Sequence, residues 1–305
     1  MNSRTYAVID IGSHSLRLMT GWHDGTQWHW SPKELATTRL GAGVSETRHL
    51  SPEGIAASLE AMAAWKQRLD GIPVCAVATS AVREAVDGQA FLAEIRARFG
   101  WHCRSISGME EGALSFCGAS SQLPLGSGAA VLDIGGGSSE VSVGVSGGSV
   151  SWSHSYPMGA VRFMKPLPIS DEDVQDIEER CARLWRPMEQ VPPVLIGVGG
   201  TLTTLAAMEH ELTVYDPSVV NGTVISLEQL SARIHALRHM TPDELLHVPG
   251  LQPKRSAVII PGLLIARSFL QHYGLQAVQI SERDLMEGVF LRHSFHDAAW
   301  RAAER

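Results

Sequence analysis

The chain has 305 residues, 44% of them hydrophobic and 19% charged, the composition of a globular protein. A prior of roughly 150 residues per domain gives two domains, each able to bury a core. The formal net charge of −7 argues against a long nonspecific grip on DNA or RNA, which needs many cations on phosphates. No apolar run approaches the ~20 residues that cross a bilayer. The opening MNSRTYAVIDIG enters a strand pattern without the charged and apolar regions of a signal peptide, so a cytoplasmic protein with no nucleic-acid or membrane partner is expected. Cys75, Cys103, Cys117 and Cys181 are widely spaced, without a CxxC pair, and read as buried reduced thiols.

Tyr6 to Gly12 is an apolar strand entering a glycine turn, and the β-rich run after it breaks at Asp24-Gly25, a dipeptide suited to a tight hairpin. A helix follows from Ser51, which can cap, with Pro52 at the first helical position and Ile55, Leu59, Met62 and Leu69 on one face. Val74 to Ala78 reads as a strand, TSAVREA after it as a polar turn, and QAFLAEIRARFG as a second helix. Strand and helix alternate, which favours an α/β layer fold. Ser120 to Gly128, rich in Ser, Gly and Pro, is the best linker and sets the domain boundary.

The second half repeats the theme. Val131 to Glu140 is a strand and glycine turn followed by β-rich runs, and Ser170 starts a helix with Val174, Ile177, Cys181 and Leu184 on one face. Another strand and glycine turn at Pro192 to Met208 precede helices from Ser226 and from Thr241, with Gln229 and Glu244 placed to complete capping boxes.

Two segments share a pattern, AVIDIGSHS at Ala7 to Ser15 and VLDIGGGSS at Val131 to Ser139. In each, a strand fixes an Asp at its C-terminal end. The glycines then admit backbone close to a ligand, and N–H groups with hydroxyls can cradle phosphate oxygens. IGVGGTLTTLA supplies a third such turn. None fits the dinucleotide G-x-G-x-x-G fingerprint, and neither a Walker loop nor a nucleophile elbow is present. His235 and His239 stand i, i+4 without a third ligand and read as a solvated face; His296-Asp297 is a lone pair.

Duplicated Asp-Gly phosphate loops in two α/β halves resemble the fold of actin, heat-shock chaperones and sugar kinases. Within that group the chain resembles the exopolyphosphatase and guanosine pentaphosphate phosphatase family through DIGSHSLRL, TRLGAGV, TSAVREA, ISGMEEG, DIGGGSSE, GVGGT, VPGLQPKR and SERDLMEG, in family order from residue 7 to about 290. The resemblance implies an α/β fold of two actin-like (ribonuclease H-like) domains, residues 1–124 and 125–305, with a cleft between them and a last helix free to pack back on the first. It also implies removal of a terminal phosphate by water, assisted by Mg²⁺.

Carried over by motif, Glu111 is the general base and Glu140 positions water or metal. Asp10 and Asp133 bind Mg²⁺ together with Glu140. Gly12, Ser13, His14, Ser15, Gly135, Gly136, Gly137, Ser138, Gly199, Gly200 and Thr201 cradle phosphate, and Arg83 faces it. Read without the family, Glu110-Glu111 is an exposed helix start favoured by the helix dipole. His14 departs from the family's Asn, Met286 from its Arg and Ala257 from its Asp. The substrate is then inorganic polyphosphate or guanosine pentaphosphate, with a non-catalytic phosphate-binding regulator as the third reading. A homodimer is left open.

Overall fold

A computed structural model describes residues 4–292. The first lobe runs β1 (Thr5–Ile11), β2 (Ser15–His23), β3 (Trp28–Trp30), β4 (Glu34–Thr37), α1 (Val44–Thr47), α2 (Pro52–Lys66), β5 (Val74–Ala78), α3 (Ser80–Glu84), α4 (Gly88–Phe99) and β6 (His102–Ser105). Its sheet has the order β3-β2-β1-β5-β6, with β4 also on β2. Strand β1 is antiparallel to β2 and parallel to β5, so it is central and covered on both faces, which is why its side chains are apolar almost throughout. A hairpin forms at Asp24-Gly25, but with a four-residue loop between His23 and Trp28 in place of a tight two-residue turn, because Asp24 Oδ1 ties the loop by accepting from the N–H groups of Thr26 and Gln27.

The second lobe repeats the scheme. After α5 (Gly108–Ser120) come β7 (Gly128–Ile134), β8 (Ser139–Val145), β9 (Val150–Tyr156), α6 (Asp171–Leu184), β10 (Leu195–Val198), α7 (Gly200–Glu209), α8 (Pro217–Val220), β11 (Val224–Ser226), α9 (Leu227–Arg238) and α10 (Pro242–Leu245). A 3-10 turn (Pro253–Arg255), α11 (Ile259–His272), β12 (Ala277–Ile280) and α12 (Leu285–Arg292) follow. The order β9-β8-β7-β10-β12-β11 again joins three antiparallel strands to two parallel ones, with β11 added antiparallel at the edge. This repeated topology is the α/β, two-lobed actin-like arrangement.

The helices start where their caps dictate. Ser51 accepts from the N–H of Gly54 and Ser170 from that of Asp173, while Ser226 with Gln229 and Thr241 with Glu244 form capping boxes, each cap contributing about 1 kcal/mol. One element differs from expectation: TSAVREA is not a polar turn but helix α3. Its short SAVRE core has no Gly or Pro to stop a helical turn, and it packs Ala81 and Val82 into the first lobe's core.

Helices α5 and α12 join the lobes. Helix α5 lies on β7–β9 of the second sheet, yet Leu114 also shares a cluster with Tyr6, Val8, Met19 and Val77 of the first. Helix α12 contributes Leu285, Met286, Val289 and Phe290 to the same cluster. Cys75, Cys103 and Cys181 are buried and Cys117 half-buried, all as free thiols. His296-Asp297 lies outside the described residues.

Candidate active site

The two Asp-Gly hairpins have one register. Asp10 stands opposite Arg17 across β1 and β2, and Asp133 stands opposite Glu140 across β7 and β8, each pair seven residues apart in sequence. Directly opposed residues share a sheet face, so the duplicated turn length sets a polar side chain beside each Asp. In the first lobe that partner is a cation, and in the second an acid.

Between the hairpins lies a cleft of about 260 Å³. Asp10, Gly12, Ser13, His14 and Ser15 of the first hairpin line it, with Asp133, Gly135, Gly136, Gly137 and Ser138 of the second and Gly199, Gly200 and Thr201 of the third turn. The glycines have separate reasons to be glycine. A Cβ on Gly137 would stand 2.6 Å from Ser80 Oγ and 2.9 Å from Ser13 Oγ. At Gly199 φ is +87°, and a Cβ would stand 2.8 Å from Asp133 Oδ1.

Glu111 also lines the cleft. It belongs to the first turn of α5, whose N-cap Ser107 accepts from the N–H of Glu110. Gly108 and Gly112 let this turn settle on the second sheet: their Cβ atoms would stand 2.2 Å from Ser155 Cβ and 2.5 Å from Ser142 Oγ. The adjacent Glu110 turns outward to Arg104, so the two glutamates of ISGMEEG part company. One turn further, Ser115 Oγ donates to Asp133 Oδ2 at 2.6 Å.

Glu140 and Arg83 do not line the cleft but stand behind its wall. Glu140 is 1% exposed; its Oε1 accepts from Ser155 Oγ at 2.6 Å, while Oε2 has no partner. Arg83 Nη1 donates to Glu111 Oε2 at 2.9 Å and to the carbonyl of Ile106 at 2.9 Å. The side chain expected to face substrate thus engages the expected base.

Burial, reinforced by the charge of Glu140, pushes Glu111 well above the usual carboxylate range, and Arg83 opposes this. Burial and then Asp133 raise Glu140. Burial and Asp284 push Asp133 up to about 6. Burial also raises Asp10, against the pull of Arg17.

Several cleft residues carried no role in the sequence reading. Arg17 donates Nε to Asp10 Oδ2 at 2.8 Å and also pairs with Asp284. Lys33 reaches Asp284 at 3.1 Å and Glu287 at 3.0 Å. Burial would raise Asp284, but Arg17 and Lys33 overcome it and hold that carboxyl far below the usual range. An arginine set between Leu16 and Leu18, seven residues after the Asp as Glu140 is after Asp133, is the sequence signal for Arg17. Met286, where the family has Arg, is fully buried in the inter-lobe apolar cluster.

Twin Asp-Gly hairpins facing one cleft, with a buried carboxylate at its floor, define a two-lobed phosphate-handling protein. Residues 23–295 match the model of the Ppx/GppA phosphatase family, and the chain belongs to that family. It is a phosphatase. Exopolyphosphatase 2 of Mycobacterium tuberculosis is 30% identical over 93% of this chain and 97% of its own length. A bifunctional 3-dehydroquinate synthase/phosphatase of Fusobacterium nucleatum is 26% identical over 95% of this chain, which matches 46% of that protein. The crystal structure of the Aquifex aeolicus family member superposes with a TM-score of 0.78 at 28% identity, covering 95% of this chain and 99% of that one. An exopolyphosphatase-like protein reaches 0.83 at 27% identity, over 94% and 98%. Among the described residues no helix is long and apolar enough to cross a membrane.

Proposed function

We propose that the chain is an exopolyphosphatase that releases the terminal phosphate of inorganic polyphosphate through attack by a water that Glu111 deprotonates. The observation that carries this is Glu111 itself, a buried carboxylate on the cleft floor between both phosphate loops, with its proton affinity raised and one oxygen fixed by Arg83. A base for water needs more proton affinity than an ordinary carboxylate has, and burial beside Glu140 raises that of Glu111. The family and the likeness to Exopolyphosphatase 2 support phosphoanhydride cleavage.

The hairpin glycines and hydroxyls hold the terminal phosphoryl group, and Arg17 faces its oxygens from the floor. Ionised Glu111 takes the proton of the attacking water, and that uptake relieves its repulsion with the neighbouring Glu140. The P–O bond to the shortened chain breaks as the new one forms, and the chain leaves as an anion.

Carboxylates outnumber cations around this floor: Asp10, Asp133, Glu111, Glu140, Asp284 and Glu287 against Arg17, Lys33, Arg83 and Arg255. A polyanion entering such a field needs compensating charge. Asp10 Oδ1 is buried without a partner, and Asp133 faces the same cleft. Among the described residues no three acidic, His or Cys side chains converge as a cage. This donor set fits Mg²⁺ shared with substrate phosphate and water, held by Asp10 and Asp133, where it would neutralise charge on the phosphoryl oxygens.

The test is phosphate release from polyphosphate and from guanosine pentaphosphate, side by side, with Mg²⁺ and with chelator. Glu111→Gln should abolish release while polyphosphate still binds. Wild-type protein that binds polyphosphate with Mg²⁺ and releases nothing would overturn the enzyme reading. Release from guanosine pentaphosphate alone would transfer the same chemistry to that substrate.

A further inference from the structure

His14 lies in the turn between β1 and β2, and its backbone is fixed within its own lobe. Its carbonyl accepts from the N–H of Thr38 at 3.2 Å and of Arg39 at 2.9 Å. Its side chain reaches the other lobe, where Nε2 lies 3.2 Å from the carbonyl oxygen of Lys254 in the 3-10 turn. A carbonyl only accepts, so Nε2 carries the proton and Nδ1 of the neutral ring is left as an acceptor. Burial, and then Arg255, pulls the imidazole down to about 4, so the ring is neutral near pH 7. A phosphate oxygen is also an acceptor and gains nothing from Nδ1. The one donor of this side chain is therefore committed across the cleft.

The turn that His14 grips carries Arg255, whose guanidinium packs over the start of α7. A Cβ on Gly200 would stand 1.8 Å from Arg255 Nη1. Within the turn, Arg255 donates its N–H to Gln252 at 2.8 Å and Val258 to Arg255 at 3.0 Å. Among the described residues it holds only this short 3-10 stretch of regular structure, so one outside bond counts for much of its order.

We propose that His14 is a positioning residue that ties the two lobes across the mouth of the cleft and thereby slows the escape of a bound polyanion. The consequence for substrate rests on the exopolyphosphatase reading above; the tie itself does not. Gln places an amide N–H near the position of Nε2, whereas Asn places one near Nδ1, so the two amides separate a lobe tie from a phosphate ligand.

Amide hydrogen exchange over residues 255–258 of the unliganded protein reads the tie directly. His14→Ala and His14→Asn should exchange there roughly three- to tenfold faster, the range that one net hydrogen bond commands, with His14→Gln close to wild type. KM for polyphosphate should rise in the same order, and His14→Gln should restore it. Unchanged exchange in His14→Ala overturns the tie. So does a His14→Asn protein that matches wild type while His14→Gln does not, since that pattern marks a phosphate ligand. If exchange responds as expected but the wild type leaves polyphosphate intact, the tie stands and the substrate reading falls.

Discussion

Arg83 Nη1 stands 2.9 Å from Glu111 Oε2, and the same nitrogen is held by the carbonyl of Ile106. The guanidinium is thus anchored to the backbone before it touches the base, which fixes one carboxylate oxygen and leaves the other to the cleft. Arg83→Gln should lower kcat roughly 10²-fold, the lower range for a misplaced general base. The sign of the pH effect follows from the charges around Glu111. Burial, Glu140 and Asp133 raise its pKa and Arg83 lowers it, so removing Arg83 raises it further. Since the base works deprotonated, the acid limb of the kcat profile should move to higher pH. A rise in KM with an unmoved limb would instead place Arg83 on the substrate phosphate.

A second contact crosses between lobes away from His14. Arg162 Nη2 donates to both oxygens of Glu84, at 2.8 and 2.6 Å, while its Nε is tied to the carbonyl of Gly137 at 2.6 Å. Glu84 belongs to α3 of the first lobe and Gly137 to the phosphate loop of the second. With Glu84 31% exposed, solvent screening reduces the bond well below a fully buried pair. A double-mutant cycle with Glu84→Gln and Arg162→Met, followed by urea unfolding, should give a coupling of about 1 kcal/mol. Zero coupling would show that the lobes dock without this pair.

The fold was legible because its signals are local. Apolar runs ending at Asp-Gly, caps at Ser51, Ser170, Ser226 and Thr241, and the period of Leu59 and Met62 each depend on a few neighbouring residues. The twin loops were legible for the same reason. What escaped was pairing between distant segments. Arg17, Lys33 and Asp284 lie far apart in sequence and meet only because α12 returns to the first sheet. The family motif aims Arg83 at phosphate, but a guanidinium suits a carboxylate equally well, and in the fold its Nη1 is held by the Ile106 carbonyl and Glu111, 23 and 28 residues away. TSAVREA read as a turn because its polar residues outweighed Ala81 and Val82, whose burial depends on the finished core.

The joint of α5 and α12 supplies the last prediction. A Cβ on Gly118 would stand 1.9 Å from the carbonyl oxygen of Asp284, and one on Gly288 1.9 Å from that of Leu114. The obstacles are backbone atoms, which no rotamer change can clear. Gly118→Ala or Gly288→Ala should therefore each cost about 1–3 kcal/mol, the range for an overpacked core. The two glycines face one contact, so the double variant should cost less than the sum, because the first substitution already separates the helices. Separation also draws Asp284 away from Arg17 and Lys33, which it holds at the cleft floor. A fall in Tm should thus be accompanied by a fall in kcat/KM at temperatures where the variants remain folded. Thermal unfolding and phosphate release on the same samples decide it: lower Tm with unchanged kcat/KM would uncouple the joint from the site.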